Sequence, residues 1–351
     1  MKFLAKFILF ITIISCDNNI SYVNRIYDDV NYLADNKLEG RKTGSKGEQI
    51  AADYIANRFK SLKIKTKGTN AYFQDFNFNN PSNPHGQVLF DQTENDTTIS
   101  SKNVIGYIDN NAEYTIVIGA HYDHLGYGGE GSLHVGSEIH NGADDNASGV
   151  AGVFETARLL VSKEHKRTLL VACWDEEERK VLGSKAYVRR EKNKATNIKM
   201  SYVYEMIGYK ENHKNSQQIP IGFERLYPQQ VKQISDNKNR GDFIALIYDD
   251  LASSLLPMIS LHAEKQGLPI LQFKVGSQLK RLPVAADLRR SDHSAFWDED
   301  YPAMMITDTA NFRNQHYHCI NAEDNVQSLD ATFAIKTINT ISKTIEDNLN
   351  R

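Results

Sequence analysis

The strongest constraint on this chain is a recurring alternation of short, β-branched apolar runs with amphipathic stretches of helical period. Strands are expected over 104–108, 115–120, 167–174, 201–204, 269–275 and 301–306. Helices are expected over 148–160, from 183 to 190, over 253–266 and over 329–349, the last with Ala334, Ile338, Ile341, Ile345 and Leu349 on one face. Strands this apolar are buried on both sides, so the pattern predicts an α/β fold: a mixed central sheet with helices on both faces. Upstream, Ile50, Ala51, Tyr54, Ile55, Phe59 and Leu62 predict a further amphipathic helix. The Asn-, Gly-, Pro- and Thr-containing stretch over 68–102 predicts short peripheral strands. Residues 211–245 are polar and irregular, and read as an insertion near the site within a single domain over 25–351.

With 41 Lys and Arg against 44 Asp and Glu, the net charge is −3. That balance argues against a broad basic surface, so no nucleic-acid partner is expected. The opening residues MKFLAKFILFITIISC combine Lys2 and Lys6 with an apolar stretch from Phe7 to Ile14, then Ser15 and Cys16. This is the layout of a secretory signal, too short to span a bilayer. A small residue ahead of Cys16 resembles the lipobox of bacterial lipoproteins, in which the Cys is acylated and becomes the first mature residue. The expectation is a signal peptide over 1–15 and a polar tether over 16–24. The exported protein would then be lipid-anchored at Cys16 in the bacterial cell envelope, on the periplasmic side or at the cell surface. Three cysteines cannot form a disulfide framework, and Cys173 and Cys319 read as reduced, buried thiols.

In covered sheets of this kind, chemistry gathers at the carboxyl ends of the strands. There this sequence places His121-Tyr122-Asp123-His124, Asp144-Asp145, Asp175-Glu176-Glu177-Glu178, Glu205 and Tyr317-His318-Cys319. Carboxylates brought together in one low-dielectric crevice repel strongly, and cations relieve that repulsion. Mixed imidazole and carboxylate donors suit zinc, and a carboxylate is able to bridge two ions about 3.5–4 Å apart.

Taken in order, HYDHLG, NGADDNASG, EERKVLGS, EMIGY and YH followed by ED resemble metallopeptidase family 28, the co-catalytic zinc aminopeptidases. LEGRKTGSKGEQIAADYI and NVIGYI resemble the amino-terminal region of the same family, so the likeness runs from about Leu33 to the closing helix. The resemblance implies a zinc exopeptidase fold of the phosphorylase/hydrolase-like type with two zinc ions. It also implies a hydrolase that removes the amino-terminal residue of peptides with a free amino terminus, through a metal-bound hydroxide. Carried over position by position, His121 and Glu205 match ligands of the first metal, and Asp145 matches the bridging carboxylate. Glu178 and His318 match ligands of the second metal, and Glu177 matches the general base.

Asp123 matches the residue that holds the His121 ring by its other nitrogen, and Asp144 reads as structural. Asp292 and His293, in the Ser291-Asp292-His293 segment, match residues around the substrate pocket. Glu205 departs from the family, which places Asp there, and Glu176 adds an acid that leaves the register of the catalytic pair open. His124, His134, His140 and His316 read as rim residues; His85, His165, His213 and His262 read as surface or packing residues. Three alternatives stand beside the aminopeptidase: a glutaminyl cyclase-like enzyme with one zinc, a carboxypeptidase using Arg289 and Arg290, and a non-catalytic binding module.

Overall fold

The computed structural model describes residues 21–80, 90, 97–129, 131–134, 136 and 138–351. The expected signal peptide and Cys16 lie outside the described residues. Residues 21–33 form helix α1, so 21–24 are helical rather than part of a tether. There follow α2 (Lys46–Ser61), β1 (Lys65–Thr66), β2 (Phe73–Asn80), β3 (Thr97–Ile108), β4 (Tyr114–His121), α3 (Gly149–Leu160), β5 (Thr168–Trp174), α4 (Leu182–Asn193) and β6 (Asn197–Glu205). The second half adds α5 (Phe223–Leu226), α6 (Pro228–Asp236), β7 (Ile244–Asp249), α7 (Leu256–Gln266), β8 (Ile270–Val275), α8 (His293–Asp298), β9 (Ala303–Thr307) and α9 (Ala331–Leu349).

Among the described residues, nine strands form one mixed sheet in the order β1-β3-β5-β4-β6-β9-β7-β8, with β2 paired to β3. The centre is parallel: β4 lies between β5 and β6, and β6 pairs with β9 in the same direction. Strand β3 runs antiparallel to β5, and β7 antiparallel to β9. Successive residues of a strand face opposite sides, and the core divides accordingly. Ile116, Ile118, Leu169, Val171, Met200 and Tyr202 pack with α1, α2, α3, α7 and α9. Val117, Leu170, Ala172, Trp174 and Met305 pack on the other face with α4, α6 and α8. The expected architecture, a mixed sheet covered on both faces, is the one observed.

Two expectations change. The stretch over 211–245 contains α5 and α6 and ends on the first residues of β7, which lies between β9 and β8 in the sheet. Strand β3 is a single strand of 12 residues rather than a short one, and its first half is polar because it pairs only with β2 and stays largely exposed. No helix among the described residues is long and apolar enough to cross a membrane.

Phe154 ties α2 to α3: fully buried, it meets Phe59 edge-on at 5.9 Å and Tyr54 at 6.3 Å. Phe154→Ala is expected to cost about 3–5 kcal/mol of stability through lost burial and the cavity left behind. Chemical denaturation measures it, and a loss below about 1 kcal/mol would mean that this contact does not hold the two helices.

Candidate metal centre

Strands β5, β4 and β6 are adjacent and parallel, so their carboxyl ends open on one crevice. His121 is the last residue of β4 and Glu205 the last of β6, while Glu177 and Glu178 follow β5 by three and four positions. Asp145 enters from the turn before α3, and His318 from the loop after β9. These side chains come together in that crevice. His121 Nε2 stands 3.3 Å from Asp145 Oδ1 and 3.6 Å from Glu205 Oε2. His318 Nε2 stands 3.3 Å from Asp145 Oδ2 and 3.3 Å from Glu178 Oε2.

These spacings carry chemical information. Both Nε2 atoms are buried and have no hydrogen-bond partner. Two donor atoms each about 2.0–2.1 Å from a shared zinc, at a tetrahedral angle, lie about 3.4 Å apart. The donors are therefore spread as they would be around ions, and imidazole with carboxylate is a set that zinc accepts. Glu205 reaches this position despite its extra methylene, and Ser291 steadies it by donating to Oε2 at 2.6 Å.

The electrostatics demand positive charge. Burial works against a charged His318, yet Glu178 and Asp145 push its pKa up to about 11. Burial likewise opposes ionisation of Asp145, but the His121 and His318 imidazoles that face it hold it well below the usual carboxylate range. Glu177 is different. Burial, reinforced by Glu205 and Glu178 and only partly opposed by His121, raises it well above an ordinary glutamate. It lines an open cleft of about 440 Å³ together with Asp145, Glu178, Glu205, Arg290, Tyr317 and His318.

The supporting residues sort as follows. Asp123 accepts from the backbone N–H of Glu177 at 3.0 Å and of Glu178 at 3.3 Å, which fixes both glutamates at once. Its backbone carbonyl, at 3.2 Å, is nearer to His121 Nδ1 than its carboxylate, at 3.5 Å. Glu176 turns away to pair with Arg179 at 2.5 Å, so Glu177 and Glu178 are the pair that faces the centre. Asp292 is buried beside the centre, and burial, opposed by His121, pushes it up to about 7. His293 faces elsewhere: Nε2 meets the Leu288 carbonyl, the ring sits against Trp297, and burial lowers its pKa to about 3.

Sequence reasoning missed three residues. Arg41 is fully buried and donates to the carbonyls of Leu33, Tyr122, Asn141 and Gly142, clamping the loops that carry His121 and Asp145. Asp324 accepts the backbone N–H groups of Asp144 and Asp145 at 2.9 Å each. His124, expected at the rim, is buried and bonds Glu178 Oε1 at 2.6 Å; His140 is buried as well. Arg41 and Asp324 lie inside the quoted motifs, but only contacts across the fold reveal what they hold. An apolar cavity of about 80 Å³ adjoins Glu205, walled by Phe223, Ile234, Phe243, Phe273 and Met305.

Residues 103–244 match the model of peptidase family M28. The Escherichia coli K12 protein YfbL is 32% identical over 58% of this chain and 58% of its own length. A probable leucine aminopeptidase of Trichophyton verrucosum is 26% identical over 67% of this chain and 54% of its own. The chain thus spans about half the length of the curated relatives it matches. The fold is shared with the LapA aminopeptidase of Legionella pneumophila, with TM-score 0.61 and 17% identity over 94% of this chain and 72% of that one. It is shared equally with a Porphyromonas gingivalis glutaminyl cyclase, with TM-score 0.61 and 15% identity over 93% of this chain and 98% of that one. Residues 103–244 thus resemble peptidase family M28, and the donor set is one that zinc accepts.

Zinc added at about 100 times its dissociation constant is expected to stabilise the fold by about 2.7 kcal/mol. Thermal melts before and after chelation read this as a rise in Tm on zinc addition; identical melts would mean that the donors do not close on an ion.

Proposed function

We propose that this chain is a two-zinc aminopeptidase that releases the amino-terminal residue of peptides. The observation that carries the reading is Asp145, whose two oxygens each stand 3.3 Å from a different imidazole, His121 and His318. In this reading His121 and Glu205 would hold one ion and Glu178 and His318 the other, with Asp145 offering one oxygen to each site. When bound, such ions polarise a carbonyl and lower the pKa of water from about 15.7 towards 7. Glu177 accepts the proton of the attacking water on its carboxylate and delivers it to the departing amine nitrogen. Its raised pKa suits both directions of that transfer. The apolar cavity beside Glu205 takes the side chain of the residue released, which favours a leucine-sized group.

The relatives named as leucine aminopeptidases support the same reading. Against a carboxypeptidase stands the engagement of both arginines: Arg289 pairs with Asp298, while Arg290 donates to Asn311 and Tyr317. Against a one-zinc cyclase stands a donor set on both sides of Asp145: His121 and Glu205 on one, His318 and Glu178 on the other. The signal layout and Cys16 support a lipid-anchored protein of the bacterial cell envelope acting on peptides with a free amino terminus.

The test pairs aminoacyl and amino-blocked substrates, with and without chelator, alongside zinc content. Leucyl substrates are expected to be cleaved and blocked ones spared. Glu177→Gln is expected to keep its zinc and lose roughly 10²–10⁴-fold in kcat. Equal cleavage of blocked substrates, or cyclisation of amino-terminal Gln with one zinc bound, would replace this reading.

A further inference from the structure

We propose that His124 sets the number of Glu178 oxygens offered to the second ion. Its Nδ1–H occupies Oε1, leaving Oε2 alone to face the metal position. The inference rests on the two-ion reading above and concerns how one of those sites is kept open.

The geometry separates this role from ligation. His124 belongs to a group with Asp145 and Glu178 whose donor atoms lie within 4.8 Å of one another, so direct coordination is the obvious rival. Yet His124 Nδ1 is only 2.6 Å from Glu178 Oε1. Two donors sharing a tetrahedral zinc would stand about 3.4 Å apart, the spacing that His318 Nε2 does show to Glu178 Oε2, at 3.3 Å. The short contact is a hydrogen bond to a carboxylate and the long one spans a metal position.

The ring is also built in. Its backbone N–H donates to the Arg41 carbonyl at 3.3 Å, and its ring sits edge-on to His318 at 5.7 Å. A methyl group on Gly142 would come within 2.7 Å of its Cδ2, so a glycine there leaves room for the imidazole. His124 is 2% exposed, and its Nε2 is buried without a partner. An unpaired buried nitrogen carries a desolvation cost that a packing residue would avoid by being apolar. The bond from Nδ1 is what the imidazole supplies. Catalytic zinc keeps a position free for water or substrate, and a glutamate gripping with both oxygens would take it. Hydrogen bonds to the outer oxygen of a ligand fix its orientation in this way. His124 is thus a positioning residue, acting through Glu178.

The experiment compares the unaltered protein with His124→Phe, which keeps a ring without the donor, and His124→Asn, whose amide nitrogen takes the place of Nδ1. Each is loaded with Co²⁺, and ion stoichiometry, visible absorption, kcat and KM are measured. The Phe variant is expected to keep two ions but to lose absorption intensity, as a more highly coordinated cobalt does. Its kcat should fall roughly 10–100-fold with KM changed less than about threefold, and the Asn variant should recover most of both signals. If the Phe variant does not fold, His124→Leu serves in its place. An unchanged cobalt spectrum and kcat would overturn the proposal, and loss of one ion would make His124 a ligand instead. A single ion in the unaltered protein would bring down the two-ion reading itself.

Discussion

The structure is organised around the mutual repulsion of four carboxylates, Asp145, Glu177, Glu178 and Glu205, gathered at the ends of three parallel strands. In a low-dielectric crevice such a cluster is unfavourable unless positive charge enters it. The two imidazoles record that demand: His121 is drawn towards the charged form despite burial, and so is His318. Asp145 sits where the two requirements meet, with one oxygen turned to each histidine.

Holding these groups in place falls to residues outside the cluster. The guanidinium of Arg41 reaches the loops bearing His121 and Asp145, although burial lowers its pKa to about 10 while Asp123 and Asp145 work to keep it charged. Arg41 follows Glu39 and Gly40 in a run of positive φ, at 49°, 65° and 49°. Only the glycine takes that backbone readily, and a side chain at Gly40 would lie 2.5 Å from the His140 carbonyl. Asp324 and Asp123 act from other directions by accepting backbone N–H groups beside Asp145, Glu177 and Glu178. Preorganisation of this kind lets a site bind charge without rearranging.

The sheet order was legible only in part. Helices α3, α7 and α9 followed from apolar spacing: α7 and α9 bury their apolar faces in the same core as α3, which is buried almost throughout. Strand β7 did not, because IALIYD follows a polar, irregular stretch and its pairing with β8 and β9 comes from distant sequence. The site showed the same division. His121, Asp145, Glu178, Glu205 and His318 stood out as residues of metal-binding type after strands. His124, next to Asp123 in the same motif, did not reveal that it turns inward to Glu178.

The sequence alone determined the class of fold and the chemical character of the centre, since periodicity dictates which faces are buried and donor type dictates which ion fits. Only the tertiary structure decided which glutamates of Asp175-Glu176-Glu177-Glu178 face the centre and which histidine bonds which oxygen. The reason is physical. Adjacent residues in a turn point in different directions: Glu176 turns to Arg179 within the same turn, while Glu178 is met by His124 from a separate chain segment.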